Sequence, residues 1–227
     1  MTKKRSSATR PRVDHRTRVG QRRRARTRSH IIGTALAVFA QKGTDAPVID
    51  DFIRAAGVAR GTFYNYFTST QELLDAVTKT LEDSVMSSTL AAMAHIDDPV
   101  LRLATGIRIW LRWAQSDAIG CGFVVRSRFR GSLVEEQVAA DLRGGLEAGK
   151  FRFPSVEIAR DLLVGTILEA MHRMMTSKVA GTFADEVAGL ILQGVGLDKR
   201  GIERLLARPL PPFEQPNWHA AACAEVP

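Results

Sequence analysis

Apolar residues in this chain recur at spacings of three and four, and no stretch alternates convincingly at two, so the pattern predicts helices and no strand. Ile31, Ala35, Leu36 and Phe39 mark a first helix running from about Thr27, a suitable N-cap, to Lys42, with Gly43 ending it. Ile49, Phe52, Ile53 and Ala56 mark a second, with Asp50, Asp51 and Arg54 on its other side. Pro47 suits its opening, where the missing N–H costs nothing, and Gly57 suits its end. Val58 plugs the angle before a short third helix that starts near Ala59 or Arg60. Only Phe63 and Phe67, four apart, hold that helix down; Arg60, Thr62, Tyr64, Asn65 and Tyr66 have nothing obvious to pack against.

Ser69 and Glu72 form the S-x-x-E capping box of a long fourth helix reaching about Ala94, with Leu74, Val77, Leu81, Val85 and Leu90 as its core stripe. Asp97-Asp98-Pro99 opens the next, to about Ser116, with Leu103, Ile107, Trp110 and Ala114 on one face and Arg102, Arg108 and Arg112 elsewhere. Gly120-Cys121-Gly122 reads as a break, followed by short helices until Ser132 caps a segment to about Gly149. Pro154 and Ser155 open a strong helix over 156–178, and another covers 183–193. These two are apolar around much of their circumference, as helices at a subunit interface are, and Ile167 and Leu192 are expected at that interface or in the adjoining core. Residues 209–227 hold five prolines and read as a mobile tail.

A helix with a narrow apolar seam and a wide face of donors suits either an ordinary surface helix of a small bundle or the recognition helix of a helix-turn-helix. The residues themselves add to this. Ala56-Gly57-Val58-Ala59-Arg60-Gly61-Thr62-Phe63-Tyr64-Asn65-Tyr66-Phe67, followed by Ser69-Thr70-Gln71-Glu72-Leu73-Leu74, resembles the DNA-binding segment of the TetR family of bacterial transcriptional repressors, over about fifty residues from near Thr27 to Val77. The resemblance implies an all-α fold: a three-helix head at 25–70, then a larger helical ligand-binding and dimerisation domain at 71–208, flanked by a basic tail at 1–24 and the proline-rich tail at 209–227. It implies that Arg60, Gly61, Thr62, Asn65 and Tyr66 reach bases or nearby sugar-phosphate, that Tyr64 contacts phosphate, and that Phe63 and Phe67 are core. The chemistry is apt, since Arg reads guanine O6 and N7, Asn reads adenine, and a Thr methyl meets the thymine methyl. Three departures remove caps or phosphate contacts: Ala59 replaces a common Ser or Asn, Val48 a common Thr, and Thr70 a common Lys.

Charge sharpens the picture once it is divided. Residues 1–28 hold twelve Lys or Arg against one acid, Asp14, while the rest of the chain is slightly acidic and the total is +8. The basicity belongs to an arm without aromatic residues, too polar to offset the entropy of ordering and suited to nucleic acid phosphates. A signal peptide is not expected, because the basic stretch is too long and no small-residue cleavage pattern follows Ala40. Only Cys121 and Cys223 occur, which is no disulfide framework and fits a cytoplasmic protein; no apolar run approaches a membrane span.

For ligand chemistry, Trp110, Trp113, Phe123, Phe129, Met171, Met174 and Met175 supply large or adaptable apolar groups, with His172 and Arg108 as polar fixing points. Cys121 and His172 show no catalytic signature, no ligand-spaced cluster suggests a metal, and no phosphate-cradling glycine loop is present, so neither an enzyme nor a cofactor is expected. The expectation is a homodimer on a palindromic double-stranded operator, released by a small-molecule inducer. A constitutive DNA-organising protein that works through its Arg-rich arm is the alternative.

Overall fold

The computed structural model describes residues 15–127 and 132–215, and every element among them is a helix. In order these are α1 (His15–Lys42), α2 (Ile49–Ala56), α3 (Arg60–Tyr64), α4 (Thr70–Ala92), α5 (Pro99–Ser116), α6 (Ala118–Ser127), α7 (Ser132–Glu147), α8 (Val156–Thr176), α9 (Phe183–Gly194) and α10 (Lys199–Leu206). The expected tail segments 1–14 and 216–227, with Cys223, and the candidate Phe129 lie outside the described residues.

α1 begins well before Thr27, so residues 15–24 are helical where a structureless tail was expected. Thr27 is no cap; its hydroxyl donates to the Arg23 carbonyl at 3.1 Å inside the helix. Arg, Gln and Ala are good helix formers, and extending a helix already nucleated by its packed half needs no new nucleus. Further along, Ile31, Ala35, Leu36 and Phe39 are buried as expected.

α2 is started by Val48, not Pro47, and Val48 offers no side-chain cap. Instead the Asp51 carboxylate accepts the Val48 N–H at 3.1 Å and the Lys42 ammonium at 2.7 Å. At its other end Gly57 takes φ 61°, where a Cβ would be strained, and the Val58 N–H reaches back to the Ile53 carbonyl at 3.4 Å. That turn sets the angle at which α3 leaves.

In α4, Ser69 accepts the Glu72 N–H at 3.1 Å, while Glu72 reaches past Ser69 to the Thr68 N–H and hydroxyl, both at 2.8 Å. The buried stripe is Leu73, Val77, Leu81, Val85, Met86 and Thr89. Leu90 is 38 % exposed, so the stripe passes through a threonine whose hydroxyl is satisfied by the Val85 carbonyl at 2.7 Å.

Gly120-Cys121-Gly122 is no break. All three residues are buried inside α6, and the break is one turn earlier, at Asp117, which ends α5 and accepts the Gly120 N–H at 2.9 Å. Close packing requires the first glycine only: a Cβ on Gly120 would lie 2.5 Å from the Trp113 ring, whereas one on Gly122 would make an ordinary contact with Ala40 of α1 at 3.4 Å. α10 was not expected from the sequence; its apolar run of Ile202, Leu205 and Leu206 is short and follows Gly201.

Two cores result. One joins α1, α2, Phe63, Phe67 and the near end of α4 to Trp113, Ala114, Cys121, Phe123, Val124 and Met171. Phe39 sits at the join, 4.8 Å from Phe52 of α2 and 6.3 Å from Phe123 of α6 between ring centroids. The other lies among α5, α7, α8 and α9 and takes in Leu192. Ile167, half-buried, packs on both cores, so neither it nor Leu192 is on the outer face of α8 and α9. That outer face is instead apolar at Ile158, Leu162 and Leu190, the last 66 % exposed.

Candidate nucleic-acid interface and ligand cavity

Phe63 and Phe67 are wholly buried, their rings 6.1 Å apart, so α3 and the turn after it are pinned by one side only. The opposite side carries Arg60, Gly61, Tyr64 and Asn65 exposed, with Thr62 and Tyr66 half-buried at its edge. Of the six sequence-predicted residues, Arg60, Gly61, Tyr64 and Asn65 are thus open to the outside, while Thr62 and Tyr66 line the side toward α1, Tyr66 packing partly against the core. Ala59 precedes α3 without a side-chain cap, as its methyl requires. Arg60 is ion-paired with Asp50 of α2, and Tyr64 meets Phe63 edge-on at 5.9 Å. A Cβ on Gly61 would meet nothing within 4 Å, so the backbone there is open to a close approach from outside.

The α2 start is held electrostatically. The Lys42 ammonium and the Val48 N–H keep the Asp51 carboxyl below the usual carboxylate range, and the two Thr68 donors do the same for Glu72. The first clamp fixes a helix of eight residues whose own propensity is small, and the second fixes the start of the long α4 directly after the α3 segment.

The ligand candidates divide differently from expectation. A cavity of about 80 Å³ opens among α4, α5, α7 and α8. A single water needs about 10–15 Å³ on this measure, so there is room for a small organic molecule. Trp110 and Met171 line it with Met86, Met93, Leu103 and Ile107. Trp113 and Phe123 do not; they are buried in the core shared with α1, Trp113 standing edge-on to Trp110 at 5.3 Å. His172 and Met175 are exposed and border a separate open depression between α8 and the α1–α2 turn. Met174 packs on both cores without lining the cavity. Arg108 also proves structural: it donates to Asp185 of α9 at 2.8 Å and to the Arg208 carbonyl at 2.8 Å, with Arg112 on the other oxygen of Asp185 at 2.9 Å.

Sequence reasoning missed the cavity's polar end. Arg102 donates through Nε to Asp141 at 3.1 Å and through Nη1 to the carbonyls of Ile96 and Met93 at 3.1 and 3.4 Å. Gln137 donates to the same Asp141 oxygen at 3.1 Å. Burial raises the Asp141 carboxyl above its ordinary value, against the pull of Arg102 and Gln137. Three arginines on α5 share similar spacing, so only the packing reveals which one faces the cavity. Cys121 is buried, its thiol pushed up to about 11 by desolvation and by Asp117. Among the described residues no group of His, Cys, Asp and Glu could hold a metal, and no helix is long and apolar enough to cross a membrane.

Residues 31–77 match the sequence model of the bacterial regulatory proteins of the tetR family, and residues 98–208 that of the tetracyclin repressor-like C-terminal domain. Among curated proteins, the chain is 44 % identical over 57 residues to a putative mycofactocin biosynthesis transcriptional regulator, MftR, of Mycobacterium tuberculosis, covering 25 % of this chain and 28 % of that protein. It is 26 % identical over 121 residues to the HTH-type transcriptional activator FasR of Mycolicibacterium smegmatis, covering 53 % and 54 %. The chain thus spans only about a quarter to a half of these relatives' length. Among solved structures, RolR in complex with resorcinol aligns with a TM-score of 0.64 and 26 % identity over 86 % of this chain and all of that one. A γ-butyrolactone receptor aligns with a TM-score of 0.61 at 16 % identity over 83 % and 97 %, a likeness of fold alone.

Proposed function

The chain belongs to the TetR family of bacterial transcriptional regulators, and from that premise we propose that it is a homodimeric repressor released from a palindromic operator by a small inducer. The observation that carries the reading is the course of α4. Its N-terminus follows directly on the α3 face of Arg60, Gly61, Thr62, Tyr64, Asn65 and Tyr66, and its far end contributes Met86, Thr89 and Met93 to the cavity. A ligand that packs better against one tilt of α4 than another shifts the equilibrium between DNA-bound and DNA-free arrangements.

Dimerisation is supported by the apolar outer face of α8 and α9, with Ile158, Leu162 and Leu190 lacking cover in the single chain. Two heads then read half-sites about one DNA turn or slightly more apart. The inducer is a compact, largely apolar molecule with a hydrogen-bonding group, Trp110 and Met171 taking its body and Asp141, Gln137 and Arg102 its polar end. A hydroxylated ring such as the resorcinol bound by RolR belongs to this class.

Selection of bound genomic fragments tests the reading. A single enriched motif with two-fold symmetry, near genes whose transcription rises when the protein is removed, is the expected result. Binding without an enriched motif would replace it with the DNA-organising alternative, and transcription that falls on removal would make the protein an activator.

A further inference from the structure

The helical start of α1 does more than lengthen it. Gly20, Arg23, Arg24 and Thr27, spaced so that they share one helix face, form a wall opposite Gly57, Val58, Ala59, Thr62 and Tyr66. Between the walls lies an open groove of about 390 Å³. Its lining contains two arginines and no acid, and among the described residues neither Arg23 nor Arg24 forms an ion pair. The Arg24 guanidinium stands 5.9 Å over the Tyr66 ring, and Arg28, one turn on, stands 5.3 Å over Phe67. The arginine wall is thereby fastened to the segment that follows α3.

We propose that this groove seats one sugar-phosphate strand of the operator, flanking the bases that α3 reads, with Arg23 and Arg24 as ordered phosphate donors. The inference rests on the reading of α3 as the recognition helix. A polyanion is required because the groove is continuous at Thr62 and Tyr66 with the α3 face, so an occupant that spans both must be a polymer with phosphates beside readable edges. Gly20 leaves the wall bare where the strand comes nearest. Because α1 is a continuous helix, Arg23 and Arg24 meet fixed phosphates, whereas Arg18 and Arg22, on the opposite side of the helix, do not line the groove. The seat supplies phosphate contacts in a head that lacks a lysine at Thr70 and a hydroxyl at Val48.

The test uses the full-length protein and the operator duplex recovered by fragment selection, with a scrambled duplex beside it, in a salt series. A Cβ on Gly20 meets nothing within 4 Å, so Gly20→Ala and Gly20→Glu both leave the fold intact, which circular dichroism verifies. Gly20→Ala should bind as wild type. Arg23→Gln and Arg24→Gln should each flatten the slope of log affinity against log salt by about 0.9 for every phosphate left without its arginine, a factor of about 3.5 between 50 and 200 mM salt. Arg18→Gln and Arg22→Gln should change the slope much less. Gly20→Glu should weaken operator binding and erase hydroxyl-radical protection of sugars beside the core site. Equal effects from all four arginines, or wild-type binding and footprint in Gly20→Glu, would overturn the seat. Asn65→Ala separates the two readings: if it relaxes base preference while the groove variants are silent, only the seat falls, and if it leaves base preference intact, the assignment of α3 itself falls.

Discussion

Gly120 and Gly122 lie two residues apart in the same helix, yet a methyl group added to each should have opposite effects. At Gly120 the new Cβ would stand 2.5 Å from Cζ2 of Trp113 and 2.7 Å from Oδ2 of Asp117. Trp113 is 1 % exposed and has no free space to retreat into, and Asp117 is held by the Gly120 N–H that starts α6. Overpacking of this kind costs about 1–3 kcal/mol, from which the better helix propensity of Ala recovers about 0.5–1 kcal/mol. Gly120→Ala should therefore lose about 1–2 kcal/mol. At Gly122 the nearest atoms are Ala40 Cβ at 3.4 Å, Ala40 O at 3.5 Å and Met175 Cε at 3.5 Å, all ordinary contacts. There the propensity gain stands nearly alone, and Gly122→Ala should gain up to about 1 kcal/mol. For a protein of this size each kcal/mol moves Tm by about 2–4 °C, so thermal melts at one fixed protein concentration should separate the two variants clearly. If Gly120→Ala melts no lower than Gly122→Ala, the close approach of α6 to Trp113 is not what holds this joint.

The remaining predictions concern other parts of the molecule. Leu190→Asp is cheap on a free surface but buries an unpaired charge in the proposed dimer, so light scattering should show a wild-type dimer and a variant monomer; a wild-type monomer that binds its operator tightly would defeat the interface. Gly106→Leu, whose side chain grows toward Met93 from 3.8 Å, should fill the cavity, leaving operator binding intact but abolishing release and tryptophan quenching by hydroxylated aromatics such as resorcinol; release retained would place the ligand elsewhere. In a Cys223→Ser background Cys121 should resist thiol reagents at pH 8, where a thiol near 11 is only about one part in a thousand thiolate, and prompt labelling of the native protein would contradict its burial. Glu72 is lowered from 4.5 in the folded state, so its contribution is full above that value and fades as pH falls through the lower folded one. Glu72→Gln should accordingly melt lower than wild type at pH 7, with the gap closing progressively in acid; a gap independent of pH would mean that the charge plays no part.

What the sequence revealed well was local. Ser69, Gly57, and the pair Phe63 and Phe67 act on neighbours within a turn or two, and each does in the structure what its spacing implies, while Glu72 caps the same turn one residue further back, at Thr68. What stayed hidden depends on partners far along the chain. Glycine in Gly120-Cys121-Gly122 suggests a break by propensity, yet at Gly120 its reason is the nearness of Trp113. Trp113 and Phe123 look as fit for a pocket as Trp110, because composition does not distinguish a ring sealed behind α1 from one facing a void. The polar end of the cavity pairs Arg102 with Asp141 across a separation of 39 residues, and no local pattern signals it. The helical start of α1 was missed for the opposite reason: low hydrophobicity argued for disorder, while the long unbranched side chains argued for helix.

Phe39 bears on how such a protein can be rebuilt. Its ring faces Phe52 on one side and Phe123 on the other, so the apolar interior does not close at residue 70; a cut there leaves Ile32, Leu36 and Phe39 without the α6 surface that covers them. The smallest transplantable reader is consequently discontinuous in sequence, made of α1 to α4 together with α6. Chimaeras that exchange the first seventy residues between relatives inherit a mismatched seam along α1, and those that carry Trp113, Cys121 and Phe123 with the head keep it whole. Heating the intact protein at fixed concentration should then give one calorimetric transition rather than a separate early melting of the head.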